Sequence, residues 1–178
     1  MTVVQTLHVP PDGWTVDEVP EIEGRWELVD GVLLVPPPEA PRNSRAAVRL
    51  AGLLTPALHD GWEVLIGGGL YFDRRNHRMP DLLVCRSSAV DAGQVRAGDV
   101  LLAVEVMSPS SVSTDRVTKP AQYAAAGIPH FWRLEPKTRL LVTSELAGDV
   151  YRETARVDDL VAVREPVPLT FRLGDLLD

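Results

Sequence analysis

The sequence predicts a mixed α+β protein, with a central β-sheet of mixed strand direction and few helices. Three observations predict it. Short apolar runs bounded by turn residues recur along the chain, among them WEVLI, LLVC and LLAVEVM. Only two stretches place apolar residues at three- and four-residue spacing or carry helix-end signals. The resulting order is a β-hairpin, a helix, a run of strands, a second helix and more strands, which suits an α/β or α+β sheet protein.

Each element has its own signal. WTVDEVPEI, residues 14–22, has room for one helical turn ended by Pro20. RWELVDGVLLV reads as a β-hairpin, because Asp30-Gly31 tolerates the positive φ angles of a type I′ turn. The proline-rich VPPPEAP is a turn between elements. In NSRAAVRLAGLLTPALHD, Ala47, Leu50, Leu54 and Leu58 form the apolar stripe of a helix packed on a sheet, and Pro56 kinks or shortens it. WEVLIGGGLYF and MPDLLVCR are strand-like runs joined by the polar DRRNHR, and Gly67–Gly69 reads as a bulge or turn rather than a phosphate loop. AVDAGQVRAGD is a loop or short helix, and LLAVEVM a central strand. SPSS, from Ser108, turns the chain out of that strand. PAQYAAAG is a helix, with Pro120 in its first turn and Gly127 at its C-terminal cap. HFWRLEP, RLLVTSEL and VYRETARV follow as strands, and LGDLLD closes as a helical turn.

The chain has 178 residues, 45% hydrophobic and 24% charged, the size and composition of one soluble globular domain spanning residues 1–178. It holds no apolar run near the roughly 20 residues that a transmembrane helix needs. A start without a basic n-region and a single cysteine, Cys85, fit the reducing cytoplasm. The net charge of −7 argues against loose electrostatic binding to nucleic acid, but is compatible with an acidic site neutralised by a cation.

Two carboxylates interrupt neighbouring apolar strands: Asp81 in MPDLLV and Glu105 in AVEVM. A carboxylate is costly to bury unless it is paired or bound to a cation. If the two strands pair, the side chains converge, and two such charges repel unless one is protonated or a divalent cation lies between them. Oxygen-rich coordination by one or two carboxylates suits Mg²⁺. Lys119, from the following helix, would add a positive charge for a phosphate or an attacking water, completing a set used in phosphodiester hydrolysis. Each residue also has a structural reading. Asp81 follows a proline and suits a turn or cap. Asp115 and Lys119, four apart, suit an ion pair along one helix face. Glu27 suits a cross-strand surface position, and Tyr123, Phe131 and Trp132 suit the core. Arg74, Arg75 and Arg78 form the densest basic stretch, either a solvated hairpin tip or a phosphate grip.

Taken together, these residues resemble a known family. Pro80-Asp81, Glu105 to Ser110, Asp115 and Lys119, Tyr123, Gly127-Ile128, Phe131-Trp132 and Glu135-Pro136 follow one another as in the core signature of the Uma family of putative restriction endonucleases, in the PD-(D/E)xK nuclease-like superfamily. RWELVDGVLLVPPP is similar to that family's opening hairpin, and the likeness covers roughly residues 14 to 140. The resemblance implies a restriction-endonuclease-like fold and hydrolysis of nucleic acid, DNA in the first instance, with Mg²⁺ or a substituting Mn²⁺. It implies Asp81, Glu105 and the Val106 carbonyl as metal ligands, Lys119 as the catalytic lysine and Glu27 as auxiliary acid. The superfamily's lysine normally stands two residues after the acid, where this chain has Met107. The sequence departs from the family twice more, with Asn43 where a histidine is common and His130 where a glutamate is common. Asn43 is then a phosphate ligand or a helix cap, and cannot act as a base. Two alternatives stay open: a non-catalytic binding or scaffold protein that keeps the nuclease fold, and a structural dimer in which Glu105 only pairs with Lys119 or an arginine. A homodimer is also admissible for the enzyme, since many nucleases of this fold dimerise to cut two strands.

Overall fold

The computed structural model describes residues 9–108 and 114–178, so all of the SPSS turn beyond Ser108 lies outside the described residues. Thirteen strands and four short helices are described, and most strands join one of two sheets. The hairpin forms as its turn dictates. β1 (Glu27–Val29) and β2 (Val32–Leu34) pair antiparallel around Asp30 and Gly31, whose φ angles of 50° and 82° are those a type I′ turn requires. Residues 16–18 make a single hydrogen-bonded turn, with the Glu18 and Val19 amides both donating to the Thr15 carbonyl and the Val16 amide tied to the Arg74 carbonyl. Helix α1 (Pro41–Leu54) buries Ala47, Leu50 and Leu54, and a 3₁₀ turn at Thr55–Ala57, holding Pro56, ends it. Leu58, just past that turn, is only partly buried.

Gly67–Gly69 does more than bend one strand. It moves the chain from β3 (Trp62–Ile66) in one sheet to β4 (Leu70–Asp73) in another. β4, β5 (Asn76–Arg78) and the two-residue β7 (Val95–Arg96) complete a five-stranded sheet with the hairpin, ordered β2-β1-β5-β4-β7. β6 (Leu82–Arg86) precedes the short helix α2 (Ser87–Asp91), and β8 (Val100–Val106) follows β7. After Ser108, a π turn at Thr114–Thr118 runs into α3 (Lys119–Ala125), and Gly127 with φ 79° ends that segment. β9 (His130–Glu135), β10 (Leu140–Ala147) and β11 (Val150–Val157) complete a six-stranded sheet, ordered β11-β10-β9-β8-β6-β3. Its pairs are antiparallel except β8 with β9, which run parallel across the α3 crossover. A second hairpin, β12 (Leu160–Val163) with β13 (Leu169–Arg172), and α4 (Gly174–Leu177) end the chain.

The six-stranded sheet is covered on both faces, which is why its middle strands read as continuous apolar runs. Along β6 and β8, Leu82, Val84, Leu102 and Val104 turn to one side, against Leu50 and Leu54 of α1. Leu83, Cys85 and Ala103 turn to the other, against Tyr123 of α3 and Phe131. With side chains alternating, Asp81 and Glu105 fall on the second face, under α3 and beside the smaller sheet. Trp132, at 1% exposure, packs in the first core. The mixed sheets and few helices make this an α+β fold.

Candidate functional site

Antiparallel pairing sets Leu82 opposite Val104, which carries Asp81 to the level of Glu105 at the C-terminal end of β8. Asp81 lies just before β6 and stays buried, its Oδ2 accepting from the Val106 amide at 2.7 Å. Its Oδ1 accepts from Arg25 at 2.8 Å. Arg25 also donates to the Met79 carbonyl and stands 3.6 Å from Glu39.

Glu105 is 1% exposed. Each of its oxygens has a donor from α3: the Tyr123 hydroxyl reaches Oε1 at 2.6 Å and the Lys119 ammonium reaches Oε2 at 2.9 Å. Lys119 and Tyr123 are four residues apart, so the helix presents both on one face. Burial, and then the nearby charges of Asp81 and Asp115, push the Glu105 carboxyl up to about 8 despite the ammonium and the hydroxyl. Burial of Lys119 works the other way, but Glu105, Glu27 and Asp115 outweigh it and hold the ammonium charged. Tyr123, buried and facing Glu105, is raised well above the ordinary phenol range and stays a donor.

Glu27 comes from β1 of the other sheet. It is buried rather than on a surface, 3.4 Å from Lys119 and 2.8 Å from Arg78. Burial would raise its carboxyl, but Lys119 and Arg78 prevail and lower it. Lys119 also stands 3.5 Å from Asp115, so the ion pair along the helix and the reach to Glu105 exist together. The cleft these residues line has a volume of about 610 Å³.

The basic stretch divides three ways. Arg78 turns inward at 2% side-chain exposure, spending its guanidinium on Glu27 and the Gln122 amide oxygen. Arg75 clips the first hairpin, donating to the Asp12 and Asp30 carbonyls; a Cβ on Gly31 would come within 2.5 Å of its guanidinium. Arg74, at the β4–β5 tip and not among the residues lining the cleft, faces solvent with Asp17 3.5 Å away. Asn43, in the first turn of α1, makes no cap, since Ala40 holds that position. Its Nδ2 donates instead to the carbonyls of Val106 at 3.1 Å and Met107 at 3.4 Å, and its Oδ1 is buried with no hydrogen-bond partner among the described residues.

Arg25, Glu39 and Tyr123 belong to the site without having been singled out for it from the sequence. Two of the three left a trace: Tyr123 stands one helical turn after Lys119, and Arg25 stands two residues before Glu27. Glu39 left none, since it sits in a proline-rich turn.

The donors around Asp81 and Glu105 fit a hard divalent cation. Among the described residues no group of three or more His, Cys, Asp or Glu side chains could hold a metal. The oxygens present are two carboxylates, the Val106 carbonyl with one lone pair left after Asn43, and the unpartnered Asn43 Oδ1. Such a set suits Mg²⁺, which keeps several waters and needs few protein ligands. The lining agrees: among the described residues five carboxyl groups line the cleft against three cationic side chains, and a cation would favour the ionised form of Glu105.

Comparison with known proteins bears on what this cleft is for. No curated protein matches the chain. Among solved structures, it is similar to a "putative nuclease belonging to DUF820" from Anabaena variabilis, at 18% identity and a TM-score of 0.70, over 92% of this chain and 97% of that one. The Uma2 family, described as "Putative restriction endonuclease", matches residues 16–174, well past the last motif read from the sequence. The chain therefore belongs to the Uma2 family.

Proposed function

We propose that the chain is a Mg²⁺-dependent endonuclease that hydrolyses phosphodiester bonds in DNA, with Asp81 and Glu105 as metal ligands. The observation that carries this reading is the convergence of two buried carboxyl groups, a buried charged lysine and a backbone carbonyl in one cleft whose acidic side chains outnumber its basic ones. A bound Mg²⁺ or Mn²⁺ would supply a Lewis acid and a water of lowered pKa. The chain's own residues do the rest. The Val106 amide and Arg25 fix the Asp81 carboxylate, and Tyr123 fixes that of Glu105. Lys119 holds a positive charge where a scissile phosphate would lie, orienting the water and stabilising charge that develops on phosphorus oxygens. Glu27 keeps that ammonium in place from the opposite sheet. Asn43 holds the carbonyl end of β8 in the site. In this reading residues 1–178 act as one cytoplasmic domain, and a homodimer would cut both strands of a duplex.

The test is cleavage of plasmid DNA with Mg²⁺ or Mn²⁺ by the wild type, Asp81→Asn and Glu105→Gln. Each substitution is expected to lower the rate by at least about 100-fold, as loss of one transition-state contact commonly does. Cleavage that persists in both variants would falsify the reading. A second reading also rests on an observation: every cation in the site already has a carboxylate partner, as in a non-catalytic scaffold that keeps the nuclease fold. That protein would bind divalent metal weakly and with no dependence on Asp81.

A further inference from the structure

The guanidinium of Arg25 lies where an incoming cation would need oxygen. Asp81 has two oxygens: Oδ2 is committed to the Val106 amide and Oδ1 to Arg25. Arg25 is anchored twice more, by the Met79 carbonyl and, more loosely at 3.6 Å, by Glu39. Among the described residues Glu39 has no closer cation than Arg25; it accepts a long hydrogen bond, 3.3 Å, from Ser44 and shares a hydrogen bond with the Asp81 carboxyl.

We propose that Arg25 is a displaceable latch on Asp81, which passes from Asp81 to Glu39 when a divalent cation binds. The proposal rests on the metal-site reading above and assigns two residues to its control. Three features support it. The Arg25 side chain is only 24% exposed, so its charge needs a carboxylate partner inside the cleft rather than release to water. Glu39 lies within about an ångström of taking that role, at 3.6 Å against 2.8 Å for Asp81. The Met79 carbonyl accepts from the guanidinium nitrogen that does not touch Asp81, and so would serve as the pivot. Arg25 is thus a positioning residue. It keeps Asp81 compensated without metal, and its transfer to Glu39 frees Oδ1 without stranding a charge.

The experiment is calorimetric titration of Mn²⁺ into the full chain, comparing the wild type with Arg25→Gln, Glu39→Gln, the double variant, Arg25→Lys and Asp81→Asn. The latch predicts opposite signs. Arg25→Gln binds about ten-fold tighter, because no guanidinium competes for Asp81. Glu39→Gln binds several-fold weaker, because the displaced arginine has no acceptor. The double variant binds like Arg25→Gln alone, since Glu39 acts only through Arg25. Arg25→Lys, which keeps the charge but cannot span Asp81 and Met79 together, binds tighter than the wild type and serves if Arg25→Gln folds poorly. Strictly additive effects of Arg25→Gln and Glu39→Gln would overturn the latch while leaving the metal site standing, because they are what simple charge–charge effects produce. Mn²⁺ affinity unchanged in Asp81→Asn would overturn the metal site and the latch with it.

Discussion

Two groups of arginine–carboxylate pairs stand at different parts of the molecule with nearly the same geometry. In the cleft, Arg78 meets Glu27 and Arg25 meets Asp81, each at 2.8 Å. Near the C-terminus, Arg139 meets Asp178 at 2.8 Å and Arg172 meets Asp159 at 3.0 Å. What separates them is water. The Arg78 and Glu27 side chains are 2% and 10% exposed, those of Arg139 and Asp178 50% and 70%. At about 4 Å, two unit charges interact by roughly 1 kcal/mol in water and about 4 kcal/mol at the lower effective dielectric of a protein. Arg139–Asp178 therefore ties the end of α4, and Arg172–Asp159 ties β13, to the body of the protein only weakly. The cleft pairs hold charges that water does not reach to answer. Contact distance alone would rank the two regions as equals, and burial ranks them apart.

The sharpest way to break this comparison is to remove one partner from each region. Arg78→Met leaves Glu27 buried with only Lys119 opposite. It is expected to cost about 3–5 kcal/mol in urea unfolding, with part recovered by adding Glu27→Gln. If Arg78→Met unfolds like the wild type, burial does not set the strength of these pairs.

A second prediction concerns pH. The Glu105 carboxyl is held at about 8 in the folded protein against an ordinary value of 4.5, so the folded state binds its proton more tightly than the unfolded chain. The stability this adds is fully present below pH 4.5 and is lost as pH rises through 8. Without metal, Glu105→Gln should therefore flatten the fall in melting temperature between about pH 5 and pH 9. A slope unchanged by the substitution would show that Glu105 titrates normally.

Smaller effects sharpen the picture. Tyr123→Phe removes the donor to Glu105 Oε1 and is expected to cost about 1–3 kcal/mol, raising the Glu105 carboxyl further. NMR titration of a carboxyl label in that variant would read the shift directly. Arg139→Ala should be the least consequential: its melting temperature is expected to match the wild type at low and at high salt. A clear loss at low salt would mean the exposed pair is stronger than its setting predicts.

Much of this protein was legible before any coordinates. Asp30-Gly31 announced the hairpin because few other dipeptides take positive φ twice in succession. The apolar stripe over Ala47, Leu50 and Leu54 announced α1, and the uniform apolarity around Glu105 announced a strand covered on both faces. The same local patterns picked out Asp81 and Glu105, since charge inside an apolar run is itself the signal, whereas Lys119 was picked out by its place in the helix that follows. The β12–β13 hairpin escaped because residues 160–172 carry little alternation, with Pro166 and Pro168 between the strands. The division of WEVLIGGGLYF between two sheets also escaped, because a glycine run states that the chain can turn and not where it goes.

The site divides along the same line. Residue type and spacing along the chain determined which carboxylates would be awkward to bury and which helix followed them. Only the tertiary structure decided who answers them: Arg25 reaches Asp81 across 56 residues and Arg78 reaches Glu27 across 51. Sequence periodicity reports which way a side chain leaves its own strand or helix. It holds no record of the second sheet that closes over that face, and in this protein that sheet supplies Glu27, which answers Lys119, and Arg78, which answers Glu27.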